Sequence, residues 1–124
     1  MRKISRNELI KLIKNENFKE LENCDVSEID KFECLFRCSK ITTKDLKYIS
    51  KWDVSNVKVC WYMFAFCKNI KSLKYLKNWN VSNVYNFSLM FYNCHNLEYL
   101  EGLENWDVFS KTARLCLGFK WNNF

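Results

Sequence analysis

Trp52-Asp53-Val54-Ser55-Asn56-Val57 returns as Trp79-Asn80-Val81-Ser82-Asn83-Val84, and its first three residues return again as Trp106-Asp107-Val108, each time 27 residues further on. A fixed period of this length means that one supersecondary unit is stacked on copies of itself, each burying its apolar face against its neighbours. Downstream of Trp52 stand Cys60, Met63, Phe64, Cys67, Ile70, Leu73 and Leu76. At the same offsets from Trp79 stand Phe87, Met90, Phe91, Cys94, Leu97, Leu100 and Leu103. An earlier, looser copy begins at Cys24 with Asp25-Val26-Ser27-Glu28-Ile29, and sets Phe32, Leu35 and Phe36 on the same apolar columns. Its cysteine, Cys38, arrives one residue early. The last copy keeps Trp106-Asp107-Val108 but has Lys111 and Arg114 where apolar residues are due, which reads as a degenerate C-terminal cap.

The combined pattern is Trp-[Asp/Asn]-Val-Ser-Asn-Val, then apolar-Phe-x-x-Cys-x-x-[Ile/Leu], then Leu-x-x-Leu. It resembles the BspA-like, mycoplasma-lipoprotein type of leucine-rich repeat over roughly residues 18 to 117. That resemblance implies an α+β fold: a small, curved, right-handed leucine-rich-repeat-like solenoid of about four units of 27 to 28 residues with an N-terminal capping helix. Residues 1–17 form the expected capping helix and 18–124 the repeat region, as one structural domain. Family members are mostly surface or secreted, adhesin-like proteins that bind other macromolecules, so the resemblance implies binding rather than catalysis.

The N-terminal segment carries its own signals. Ser5 and Glu8 make a capping box, Ile4 and Leu9 a hydrophobic staple, and Leu9, Ile10, Leu12 and Ile13 an apolar stripe at helical spacing. The helix is expected to end near Asn15 to Asn17, with Arg2, Lys3, Arg6, Lys11 and Lys14 on or near its solvated side. Within each repeat, Leu73-Lys74-Tyr75-Leu76 reads as a strand and Phe87 to Cys94 as a short helix. Ser55-Asn56 and Ser82-Asn83 fall at the turn between them, where short polar side chains can form a ladder. The tryptophans are expected to stack as a packing column about 5 Å apart, the spacing of paired strands. Trp52, Trp79, Trp106, Asn56, Asn83, Phe64, Phe91, Cys67 and Cys94 are the expected structural columns.

Composition bounds the function classes. The 124 residues include no proline, two glycines and 48% apolar residues, as expected of one small globular domain without a linker. The basic start Met1 to Arg6 is followed by Glu8, Lys11 and Lys14 rather than an apolar run, so neither a signal peptide nor a membrane span is expected. The expected location is the cytoplasm, or the host cytoplasm if the chain is phage-encoded. Seven cysteines, an odd number, then read as small buried hydrophobes of a reducing compartment. Without a Cys-x-x-Cys, and with His95 as the sole histidine beside Cys94, no metal site, no cofactor and no catalytic Cys-His pair are expected.

A formal charge of +6 raises nucleic acid as a partner, but Lys71, Lys74 and Lys77 align with Glu98, Glu101 and Glu104 one period later, which reads as three ion pairs between neighbouring units. Lys40, Lys44, Lys47, Lys51, Lys58 and Lys68 then remain as a basic edge. The leading expectation is a non-enzymatic macromolecule-binding module that acts by protein–protein contact through Lys47, Tyr48, Lys68, Lys71, Lys74, Tyr75 and Glu101. Alternatives are an anti-CRISPR-like inhibitor blocking a nucleic-acid-guided nuclease, with nucleic acid or ribonucleoprotein touching the basic edge, and an adhesin-like surface protein. An exposed terminal unit also allows a homodimer.

Overall fold

The computed structural model describes residues 1–99 and 101–106. The expected cap at Lys111 and Arg114, and the apolar column position Leu100, lie outside the described residues. In chain order the elements are β1 (Arg2–Lys3), α1 (Arg6–Lys14), the 3-10 helix η1 (Phe18–Asn23), β2 (Cys24–Asp25), and the 3-10 helices η2 (Lys44–Ile49) and η3 (Lys74–Leu76). β1 and β2 pair in parallel, Arg2 opposite Cys24 and Lys3 opposite Asp25.

α1 starts where its sequence says it must. The Ser5 hydroxyl accepts from the Glu8 amide at 3.2 Å, and the Glu8 carboxylate accepts from the Ser5 amide at 3.2 Å. Both contacts satisfy amide groups that a helix start leaves without an intrahelical partner. Leu9 and Ile13 are buried, and Asn15 caps the C-terminus.

The expected leucine-rich-repeat-like solenoid of about four units is not the architecture found. Regular structure among the described residues amounts to one α-helix, three 3-10 helices and one two-stranded sheet. Between copies there are only single parallel bridges, Lys31–Val59, Val59–Asn86 and Ser72–Tyr99. Both expectations for elements within a repeat fail as well. Leu73 to Leu76 is not a strand: Lys74–Leu76 is a turn of 3-10 helix, and its counterpart in the preceding copy is η2. Phe87 to Cys94 is not a helix.

The reason lies in where the amide groups go. Phe32, Cys34, Phe36 and Cys38 donate to the carbonyls of Val59, Trp61, Met63 and Ala65 at 2.7 to 2.9 Å, and Cys60, Tyr62, Phe64 and Phe66 donate to Asn86, Ser88, Met90 and Tyr92 at 2.8 to 3.1 Å. The amides between them turn back three residues, as in Met63 to Cys60, Ala65 to Tyr62 and Cys67 to Phe64. With alternate donors committed to the neighbouring copy, no i to i−4 ladder can form. The arrangement needs left-handed backbone at non-glycine residues: Cys34, Tyr62 and Leu89 in one series, Cys38, Phe66 and Asn93 in another, with φ between 54° and 62°. Each costs on the order of 1–2 kcal/mol, offset by the hydrogen bonds between copies.

A continuous core runs from Ile4 to Trp106. At Gly102, with φ of 102°, an added Cβ would lie 2.3 Å from the Leu73 carbonyl oxygen, so only glycine lets this copy approach the preceding one.

Candidate functional site

The buried columns are joined by side chains that donate to backbone 28 to 31 residues earlier in the chain. Trp52, Trp79 and Trp106 give their indole N–H to the carbonyls of Leu21, Ile49 and Leu76 at 2.9, 2.9 and 3.2 Å. Cys67 and Cys94 thiols do the same to Phe36 and Phe64. At the exposed end, the Asn56 and Asn83 amides donate to Ser27 and Ser55, and those of Asn69 and Asn96 to Lys40 and Lys68. The indole rings stack at 6.4 Å with interplanar angles of 7° and 5°. Phe36, Phe64 and Phe91 stack at 5.1 and 5.6 Å. The indole spacing exceeds the 5 Å expected from strand pairing because the chain beside the tryptophans is 3-10 and turn backbone.

The cysteines divide by position. Cys24, Cys60, Cys67 and Cys94 are buried, whereas Cys34 is half-buried and Cys38 exposed. Burial pushes the thiols of Cys60 and Cys94 up to about 12 and raises that of Cys67, so none supplies a thiolate near neutral pH. Cys38 does not join the Cys67 and Cys94 column; in the 28-residue register of that copy Ser39 stands there, and Cys38 shares its left-handed backbone with Phe66 and Asn93. Among the described residues, no group of three or more His, Cys, Asp or Glu side chains could hold a metal ion. No helix among them is long and apolar enough to cross a membrane.

Of the residues expected to meet a partner, Lys47, Tyr48, Lys74 and Tyr75 come together on η2 and η3, which pack side by side, while Lys68 and Lys71 lie outside both. The Lys47 ammonium lies 5.1 Å from the Tyr48 ring centroid and that of Lys74 lies 5.3 Å from Tyr75. The Lys71 amide donates to the Thr43 hydroxyl, and the Lys71 carbonyl accepts from Glu98 and Tyr99. The expected ion pairs of Lys71, Lys74 and Lys77 do not form: the ion pairs among the described residues are Arg2–Glu8 and Lys3–Glu28. Glu101 instead accepts from the Ser72 hydroxyl, and Glu104 from the Gly102 amide. Hydrogen bonds from the Ser72 hydroxyl of the neighbouring copy and from the nearby Gly102 amide hold these two carboxylates instead of the exposed lysines. Lys40, Lys44, Lys47, Lys51, Lys58 and Lys68 are all exposed.

A second surface was not foreseen. Trp61, Tyr62, Phe66 and Tyr92 meet edge to face: Trp61 with Tyr62 at 4.4 Å and 87°, Tyr62 with Tyr92 at 6.0 Å and 88°, Phe66 with Tyr92 at 5.6 Å and 86°. The Arg37 guanidinium lies 6.0 Å over Phe66, so three successive copies contribute. Trp61 is 39% exposed and Tyr92 37%. The signal in the sequence was an inverse one, since these aromatics do not recur. One period from Trp61, Tyr62 and Phe66 stand Ser88, Leu89 and Asn93, and one period before Tyr92 stands Ala65.

Residues 6–120 match the model of a family described as "Mycoplasma protein of unknown function, DUF285". The chain belongs to this family. It is the BspA-like, mycoplasma repeat family that the sequence resembles. Neither a curated protein nor a solved structure matches the chain. In this DUF285 member the aromatic face is thus the assembled surface that the repeat itself does not require.

Proposed function

We propose that the protein is a non-enzymatic binding module that engages a protein partner through the face made by Trp61, Tyr62, Phe66, Tyr92 and Arg37. The observation that carries this reading is the edge-to-face cluster left exposed at positions that do not recur. Tryptophan, tyrosine and arginine are the residue types enriched at binding hot spots. An aromatic surface held by backbone in left-handed turns is also preorganised, so little side-chain freedom is lost on contact. The Lys47–Tyr48 and Lys74–Tyr75 pairs on η2 and η3 form a separate, more polar surface whose ammonium groups already lie over rings. We also read the Trp-[Asp/Asn]-Val-Ser-Asn-Val run as the repeat signature of this family, supported by the like placement of Trp52 and Trp79.

The test is co-purification from nuclease-treated lysate of the source cell, comparing wild type with W61A/Y92A and K47A/K74A. The expected result is a protein partner retained by wild type and K47A/K74A and reduced at least ten-fold by W61A/Y92A, with circular dichroism unchanged. Equal retention by W61A/Y92A would remove the aromatic face from the function.

A further inference from the structure

The repeat uses its carbonyls directionally, and at the first copy that direction leads off the stack. Val59, Trp61, Met63 and Ala65 turn their carbonyls toward the copy before them. The equivalent residues of the first copy, in its 28-residue register, are Lys31, Glu33, Leu35 and Arg37. Where a preceding copy would stand, α1 stands instead, and it answers two of the four. Arg6 donates Nε to the Lys31 carbonyl at 3.1 Å and Nη2 to the Glu33 carbonyl. Arg6 is therefore a backbone cap rather than the solvated charge expected from the sequence.

The carbonyls of Leu35 and Arg37 accept no hydrogen bond from the described residues. Leu35 and Arg37 are among the residues lining a groove of about 490 Å3 between α1 and the first copy, together with Ile10 and Ile13. Four cations, Arg6, Lys14, Arg37 and Lys40, line it against the single carboxylate of Glu16.

We propose that this groove takes an acidic peptide segment whose alternating backbone amides continue the hydrogen-bond row at Leu35 and Arg37. A segment that takes up the turn backbone of residues 32–38 presents the amides of residues i and i+2 to the row, as Phe36 and Cys38 do to Met63 and Ala65. Its apolar side chains would rest on Ile10 and Ile13, and its carboxylates would meet Lys14 and Lys40. This inference does not rest on the aromatic face, and the two are tested by different variants and ligands.

The probe is a fluorescein-labelled octapeptide of alternating Glu and Val, titrated by anisotropy at low and at physiological salt. Two depsipeptide versions replace the amide groups of one alternating set or of the other by ester oxygens. At least one depsipeptide is expected to bind ten-fold or more weakly than the parent; parent-like binding by both would overturn the proposal. K14E/K40E is expected to bind the parent peptide at least ten-fold more weakly, and unchanged binding would overturn it. Polyuridylate binding more tightly than the peptide would also overturn it, in favour of a nucleic-acid site. On the wild-type chain, saturating peptide is expected to slow alkylation of Cys38, an exposed thiol on this groove, at least five-fold by peptide mapping. An unprotected Cys38 would place the peptide elsewhere.

Discussion

Two sets of aromatic residues in this chain behave oppositely. Trp52, Trp79, Trp106, Phe36, Phe64 and Phe91 recur at the repeat interval, are buried, and stack nearly parallel from copy to copy. Trp61, Tyr62, Phe66 and Tyr92 do not recur, are half-buried or exposed, and meet edge to face. A recurring ring has an identical ring beside it, so burial and stacking stabilise both at once. A ring that occurs once has no such neighbour in the next copy, and its surface is available to another molecule. Within these two sets, position relative to the period, rather than residue type, separates buried stacked rings from the more exposed edge-to-face ones.

The largest break in that contrast is expected from Phe64→Ala, which removes the middle ring of a buried stack. It is expected to cost about 3–5 kcal/mol of unfolding free energy in urea titrations, whereas Trp61→Ala, which loses one edge-to-face pair at a partly exposed site, costs only about 0.5–1.5 kcal/mol. Next in size is Trp79→Phe, which keeps a smaller ring but deletes the indole N–H and leaves the Ile49 carbonyl with the Trp52 amide as its one remaining donor among the described residues. Its expected cost is about 1–3 kcal/mol, measured in the same way, and it sharpens the comparison by separating the column's hydrogen bond from its packing.

The smallest effect is a pH effect. Hydrogen bonds from the Ser55 hydroxyl and amide hold the Asp53 carboxyl below its ordinary value. A lowered folded-state pKa means that the stabilisation is present above the unfolded value, about 4, and is lost as pH falls through the folded value. In the next copy Asn80 makes the same contacts to Ser82 without a charge. Asp53→Asn is therefore expected to match wild type at pH 7 and to flatten the fall in thermal midpoint below about pH 4.

How much of this could be read from the sequence differs by element. The start of α1 was legible because Ser5, Glu8, Ile4 and Leu9 act locally, within one turn. The turn polarity of Ser55 and Asn56 was legible in kind, although the Asn56 amide reaches the copy before rather than its own turn. The solenoid, the strand at Leu73 and the helix at Phe87 were misread for one reason. Apolar spacing shows which side chains go inward, not whether an amide bonds three residues back or to a chain segment 26 or 27 residues away. The Lys–Glu pairing failed because aligned positions are neighbours in the stack, but Ser72 and the Gly102 amide bind Glu101 and Glu104 first. The aromatic face is not legible in the periodicity, because Trp61, Tyr62, Phe66 and Tyr92 have no aromatic counterpart one period away.

The most direct measurement is photo-crosslinking in the source cell with benzoylphenylalanine placed at Trp61 or, separately, at Tyr85. Tyr85 is 77% exposed against 39% for Trp61, so exposure alone favours Tyr85 as the reactive position. A discrete protein adduct from position 61 and none from position 85 is the expected result. Equal adducts at both positions, or none at position 61, would contradict it.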